Sequence, residues 1–249
     1  MTDDPAEVLH APAKLTWSLR VTGRRGDGYH LIDAEMMSLD LADELVVRPG
    51  GSGIDVIGPY AEGVPTDETN LVARALRRAG VAAAVRINKR IPHGGGLGGG
   101  SADAAAVLRW AGVTDPATAA ELGADVAFCL RGGRARVLGI GEVIEPLPFE
   151  ERVVTLVVPP FQVSTAAVYR AWDDLDGPDG DAGNDLEPAA LAVEPQLGKW
   201  RDLVAASVGE RPMLAGSGAT WFVPGERDNA LAHLRGEGAA VIVAHTVPA

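Results

Sequence analysis

The sequence predicts an α+β protein of two domains, each a sheet with helices packed in a second layer. Three observations carry this. Apolar residues alternate with a period of two from Leu15 and again over 134–146, helical patterns with caps fill other stretches, and the two kinds of element mix without strict β-α alternation. The apolar run 153–158 (VVTLVV) opens a new set of elements, so the domains are expected over residues 1–151 and 152–249.

The first alternation starts at Leu15. Leu15, Trp17, Leu19 and Val21 fall on one face of a half-buried strand, and Thr16, Ser18 and Arg20 fall on the other with Lys14. Residues 23–30 (GRRGDGYH) are rich in turn formers and present Tyr29 and His30 together, either as a base-stacking pair or as the start of the next strand. Residues 35–48 read as a strand or a pair of strands turning at Ala42-Asp43, and 53–58 as a short one. Thr69 is placed to cap a helix over 70–79 that Gly80 ends.

A buried strand over 81–88 leads into the most distinctive stretch of the chain, Pro92-His93-Gly94-Gly95-Gly96-Leu97-Gly98-Gly99-Gly100-Ser101-Ala102. Glycines allow positive φ and let backbone N–H groups approach a ligand closely. Ser101 is placed to cap a helix over 103–111, whose dipole would point into the same space, so the loop reads as a phosphate cradle. No Gly-Lys-Ser/Thr follows, which excludes a Walker loop, and no acid-ended second strand follows, which argues against a dinucleotide fold.

Asp115-Pro116 opens a short helix ending near Gly123. Asp125 stands just before an apolar run and is either a helix cap or a catalytic base. Alternation over 134–146 and the run 153–158 continue the strands. Ser164 caps a helix to residue 171, an acidic glycine-rich loop follows, and helices are expected over 186–191, 195–206 and 228–235. A second glycine turn, Ala215-Gly216-Ser217-Gly218-Ala219, precedes the last strand, 239–244.

The formal net charge of −12 argues against general nucleic-acid binding, so an anionic ligand must be met by local groups such as Lys14 and Lys89. Residues 1–10 carry no basic flank or apolar core of a signal peptide, and no apolar run reaches the ~20 residues a membrane span needs. The single cysteine, Cys129, reads as a buried inert thiol. A cytoplasmic location, with neither nucleic acid nor membrane as partner, is expected.

Six segments, in order, carry a resemblance: Pro12-Ala13-Lys14-Leu15, Gly26-Asp27-Gly28-Tyr29-His30, the glycine cradle, Leu122-Gly123-Ala124-Asp125-Val126, Asn184-Asp185-Leu186-Glu187 and Gly216-Ser217-Gly218-Ala219. Over nearly the whole chain they resemble the GHMP kinase superfamily and, within it, the 4-diphosphocytidyl-2-C-methyl-D-erythritol kinase family. The resemblance implies an N-terminal ATP-binding domain and a C-terminal α/β sandwich domain. It implies transfer of the ATP γ-phosphoryl group, with Mg2+, to the 2-hydroxyl of the cytidyl-diphospho acceptor in non-mevalonate isoprenoid synthesis. Lys14 and Asp125 would be catalytic, with Asp125 accepting the hydroxyl proton.

By the same resemblance, Pro92 to Ala102 would wrap the ATP phosphates, Ser101 would be available to phosphate or Mg2+, and Asn70 and Lys89 would lie near the nucleoside. Thr16, Tyr29, His30, Thr165 and Tyr169 would contact the acceptor. The family pattern has Asn at 16, Ser at 102 and Pro at 127, where this chain has Thr16, Ala102 and Ala127. Its span between Ser101 and Asp125 is longer, by roughly two helical turns or more. A kinase with a different alcohol acceptor, or an inactive nucleotide-binding relative, are the alternatives.

Overall fold

Strands β1 (Glu7–Arg24) and β2 (His30–Pro49) form one long antiparallel hairpin, the scaffold on which the remaining elements pack. The computed structural model describes residues 5–180 and 182–249. Pairing slips between Thr16 and Ser18, which makes Trp17 an extra residue on β1. Such a bulge breaks the period of two. Leu15 and Trp17 turn to one core with Phe222, whereas Leu19 returns to the face of Lys14 and Thr16, contrary to the clean alternation expected. The expected turn at Ala42-Asp43 is also absent, because β2 runs through it. Asp43 is fully buried inside the strand, where its Oδ1 accepts from the backbone amides of Arg90 (2.5 Å) and Ile91 (2.9 Å).

Beside β2 lie β3 (Ile54–Ile57) and β4 (Ala83–Asn88) on one edge, and the hairpin β5 (Arg134–Gly139) and β6 (Val143–Pro146) on another. Among the described strands only β3 and β4 pair in parallel. Helices α1 (Leu71–Ala79), α2 (Gly99–Trp110), α3 (Pro116–Ala120) and α4 (Ala124–Arg131) accompany these strands. Ala102 to Leu108 of α2 are buried without a break, which explains the run of alanines: a central helix with neighbours all round has no room for larger side chains.

The second part contributes β7 (Val153–Val158), β8 (Met213–Leu214), β9 (Trp221–Pro224) and β10 (Ala240–Val247), with α5 (Thr165–Asp174), α6 (Glu187–Val193), α7 (Gln196–Val208) and α8 (Asp228–Leu231). A 3-10 turn over Ala232–Glu237 replaces the end of the last expected helix. Strand β10 pairs with β7 over residues 240–245 and with β2 through Thr246 and Val247, so the ten strands of the described residues belong to one sheet. A second core, including Leu15, Met37, Leu39, Leu156 and Phe222, joins the two strand groups. Among the described residues no helix is long and apolar enough to cross a membrane.

Two caps differ from expectation. Asn70, not Thr69, caps α1, its side chain accepting from Val72 N at 2.8 Å, while Thr69 bonds to Asp67. Helix α2 begins at Gly99 with Gly98 as its left-handed N-cap, so Ser101 sits within the first turn and does not cap. Asp125 likewise lies in the first turn of α4, after an N-cap at Gly123, which leaves its carboxylate free of the capping role.

Candidate active site

The cradle is shaped by close approach. Gly98 has φ +69°, and a Cβ there would lie 2.6 Å from Lys14 Cγ. A Cβ on Gly96, at φ +78°, would lie 2.6 Å from Gly218 O. The first glycine loop therefore packs against both β1 and the second glycine turn, and neither position accepts a side chain. Lys14 N donates to Leu97 O (3.0 Å) and Thr220 N to Gly95 O (3.2 Å), which fixes the loop from two sides. The first intrahelical bond of α2 runs from Ala102 N to Gly98 O (2.8 Å), so the amides of Gly99, Gly100 and Ser101 precede it and point out of the helix end. Amides and dipole meet the space lined by Lys89 and residues 91–101.

Lys14 Nζ stands 3.4 Å from Asp125 Oδ2 and donates to Thr16 Oγ1 at 3.1 Å. Lys14 is 6% exposed, whereas the Asp125 side chain keeps 35% of its surface open, so the cation is fixed and the carboxylate accessible. Both residues line a cavity of about 860 Å³ that also receives Ser101 from the cradle and Ser217 from the second glycine turn. That turn is held by Asn184, whose buried Nδ2 donates to Leu214 O (2.8 Å) and Gly216 O (2.7 Å). Asp185 accepts from Val21 N (2.9 Å) and Arg20 Nη1 (2.5 Å), fastening the segment to β1. The glycine loop and an accessible carboxylate beside a buried ammonium thus open into one space.

Residues 69–133 match the family model described as GHMP kinases N terminal domain. The 4-diphosphocytidyl-2-C-methyl-D-erythritol kinase of Paracoccus denitrificans (strain Pd 1222) is 40% identical over 231 residues, covering 85% of this chain and 84% of the relative. The chain belongs to the 4-diphosphocytidyl-2-C-methyl-D-erythritol kinase family. The kinase of that name from Dinoroseobacter shibae (strain DSM 16493 / NCIMB 14021 / DFL 12) is 39% identical, covering 85% of this chain and 83% of the relative. A crystal structure of a 4-(cytidine 5'-diphospho)-2C-methyl-D-erythritol kinase superposes with a TM-score of 0.78 at 34% identity, over 98% of this chain and 100% of that one. Homoserine kinase from Cytophaga hutchinsonii ATCC 33406 shares the fold, with a TM-score of 0.62 at 18% identity, over 100% of this chain and 96% of that one.

In this member of the 4-diphosphocytidyl-2-C-methyl-D-erythritol kinase family, Thr16, Tyr29, His30, Thr165 and Tyr169 all line the cavity that holds Lys14 and Asp125, with Thr16 next to Lys14. The His30 ring stacks on Tyr169 with centroids 4.8 Å apart and meets Trp172 edge-on at 5.6 Å. Its Nε2 lies 2.8 Å from Asp173 Oδ1. Tyr29 stays 59% exposed at the lip, so it is the open aromatic face, while His30 and Tyr169 already fill the space between them. Burial, aided by the charge of Asp125, pushes the Tyr169 hydroxyl up to about 12 and keeps it neutral. Thr165 Oγ1 and Ser217 Oγ are 2.8 Å apart.

The two residues expected near the nucleoside are both committed internally. Asn70 spends its carbonyl on the α1 cap and its amide on Pro65 O (2.6 Å). Lys89 is 2% exposed and donates to both Asp43 and Asp103. Burial, then the charge of Lys89, holds the His93 imidazole below its ordinary value, so His93 is neutral at physiological pH. Sequence reasoning missed Asp173, Arg74, Arg170 and the role of Ser217 in the cavity wall. The Gly216-Ser217-Gly218 turn was the available signal for Ser217. The others are charged residues on ordinary amphipathic patterns, which spacing does not single out.

Proposed function

We propose that this chain transfers the γ-phosphoryl group of ATP to the 2-hydroxyl of 4-(cytidine 5'-diphospho)-2-C-methyl-D-erythritol, in the cytoplasm, as a step of non-mevalonate isoprenoid synthesis. The carrying observation is the Lys14–Asp125 pair, 3.4 Å apart where the cradle opens into the large cavity. Phosphoryl transfer asks the protein mainly for positioning and charge stabilisation. In this reading Asp125 takes the proton of the acceptor hydroxyl as its oxygen bonds to the γ-phosphorus and the bond to the β,γ-bridging oxygen breaks, leaving ADP. Lys14 orients Asp125 and offsets charge on the transferring group, and Thr16 holds the Lys14 ammonium in place. Residues 92–102 take the ATP phosphates, with Asn70 and Lys89 shaping the nucleoside side from beneath. Tyr29, His30, Thr165 and Tyr169 receive the acceptor.

Residues 1–151 then act as the ATP-binding domain, and residues 152–249, from just before β7, as the domain completing the acceptor site. Among the described residues no group of three or more His, Cys, Asp or Glu is placed to hold a metal. Mg2+ would arrive with the nucleotide, with the Ser101 hydroxyl as protein donor where the cradle meets the cavity. When bound it supplies charge neutralisation on the phosphate oxygens.

Incubation with γ-labelled ATP and a panel of phosphoryl acceptors tests the assignment. Label should pass to the cytidyl compound in preference to mevalonate or homoserine. A second reading, a related alcohol as acceptor, is favoured only by Thr16, whose hydroxyl is shorter than the Asn of the family pattern. Preferred labelling of another alcohol would establish it.

A further inference from the structure

The acids of the large cavity are each already engaged. Asp125 faces Lys14 at 3.4 Å, Asp173 accepts from His30 (2.8 Å) and lies 3.4 Å from Arg24, Glu121 holds Arg78 (2.8 Å), and Glu142 takes Ile140 N (2.6 Å). Two cations in the same wall have no such partner among the described residues: Arg74, half-buried on α1, and Arg170, on α5. In a chain with 34 acids against 22 lysines and arginines, guanidinium groups find carboxylates readily, as Arg24, Arg78 and Arg136 do. A guanidinium left without one in a concave wall has its planar fork of donors available for a ligand anion.

Their positions differ. Arg170 follows Tyr169 in α5, next to the His30 stack, at the end where the acceptor's base is received. Arg74 is one turn beyond Leu71, whose side chain would touch a Cβ on Gly100 at 3.7 Å, so it stands by the first turn of α2 and the mouth of the cradle. We infer that Arg170 binds the diphosphate of the acceptor and that Arg74 binds the phosphoryl group in transit. This assignment rests on the proposed kinase reading and extends it to two residues that the family resemblance did not bring forward. Neither guanidinium competes with an internal carboxylate for its ligand, so neither incurs the cost of breaking an ion pair on binding.

The test compares cytidine with cytidine 5'-diphosphate by calorimetry on the wild type, Arg170→Gln and Arg170→Lys, with melting curves confirming that each is folded. The wild type should prefer the diphosphate. Arg170→Gln should lose ~10-fold or more of affinity for the diphosphate, the scale of one charge-assisted hydrogen bond, with cytidine affinity unchanged. Arg170→Lys should recover part of the loss. Equal weakening of both ligands, or an unchanged preference in Arg170→Gln, would overturn the assignment. Arg74→Gln should lower kcat ~10-fold or more with little change in KM for the acceptor, and a raised acceptor KM at constant kcat would place Arg74 elsewhere. Failure of the kinase reading is distinct from all of these, because wild type would then not phosphorylate the cytidyl compound at all.

Discussion

Lys89 Nζ lies 2.7 Å from Asp103 Oδ2 and also donates to Asp43 Oδ2, so one buried ammonium serves two buried carboxylates. The trio ties the strand entering the cradle to the helix leaving it, because Asp43 also accepts from the amides of Arg90 and Ile91. Both oxygens of Asp43 are thereby engaged, whereas Asp103 Oδ1 has no partner. Burial raises the Asp103 carboxyl, Lys89 pulls it down, and the charge of Asp43 raises it again, leaving it at about 7. The deficit of positive charge falls on Asp103.

Asp103 should therefore make stability depend on pH. Its folded pKa lies above the ordinary ~3.9 of an unfolded aspartate, so its contribution is complete below pH ~4 and lost as pH rises through about 7. Asp103→Asn removes the titration while Asp43 still holds Lys89. Melting temperatures measured from pH 5 to 8 should fall less steeply in the variant than in the wild type. Parallel curves would show that Asp103 is ionised throughout.

Gly98→Val should abolish ATP binding. The position combines φ +69° with Lys14 Cγ at 2.6 Å from an added Cβ, so the side chain is strained and also displaces Lys14. Calorimetry with ATP decides it, and an affinity like that of the wild type would remove the cradle from the mechanism.

Asp125→Asn should lower kcat by ~10²-fold or more with KM for ATP nearly unchanged, as for a group needed in the transition state. Lys14→Ala should cost ~10²–10³-fold. Initial rates of the double variant should be little worse than those of the poorer single one, because the two act as a unit across 3.4 Å. Full additivity would separate them.

Thr16→Asn restores the residue of the family pattern at the position that accepts from Lys14 at 3.1 Å. If the cytidyl compound is the natural acceptor, kcat/KM should change by no more than the ~0.5–1.5 kcal/mol of one neutral hydrogen bond. A weak wild type rescued strongly by Asn would reassign the acceptor and leave the phosphate site intact.

Local signals placed most elements. The strand β7 and the caps Gly80, Asp115 and Ser164 were legible because short-range pattern determines them. Features set by distant partners were not. The bulge at Trp17 depends on what β2 offers across the ladder, and a single strand does not encode its partner's register. Asp43 looked like a turn residue because buried acids in strands are rare, and only the distant Lys89 and the amides of Arg90 and Ile91 make its burial tolerable. At the candidate site, the glycine loop, Lys14 and Asp125 stood out through residue type and family resemblance. Asp173, Arg74 and Arg170 did not, since what distinguishes them is whether a neighbour meets their charge, a property of the folded wall.

Because β10 pairs with both β7 and β2, the two strand groups cannot swing apart like jaws without tearing backbone hydrogen bonds. Two parts of the cavity wall lie outside that ladder, the turn at 25–29 and helix α5, joined to each other where His30 and Arg24 meet Asp173. Amide exchange should accordingly be slow along β10 and fast at the turn, and bound acceptor should slow only the latter. The lip of the cavity is thus held by side chains alone, with one carboxylate between the aromatic turn and α5, while the frame behind the cradle is held by a backbone ladder.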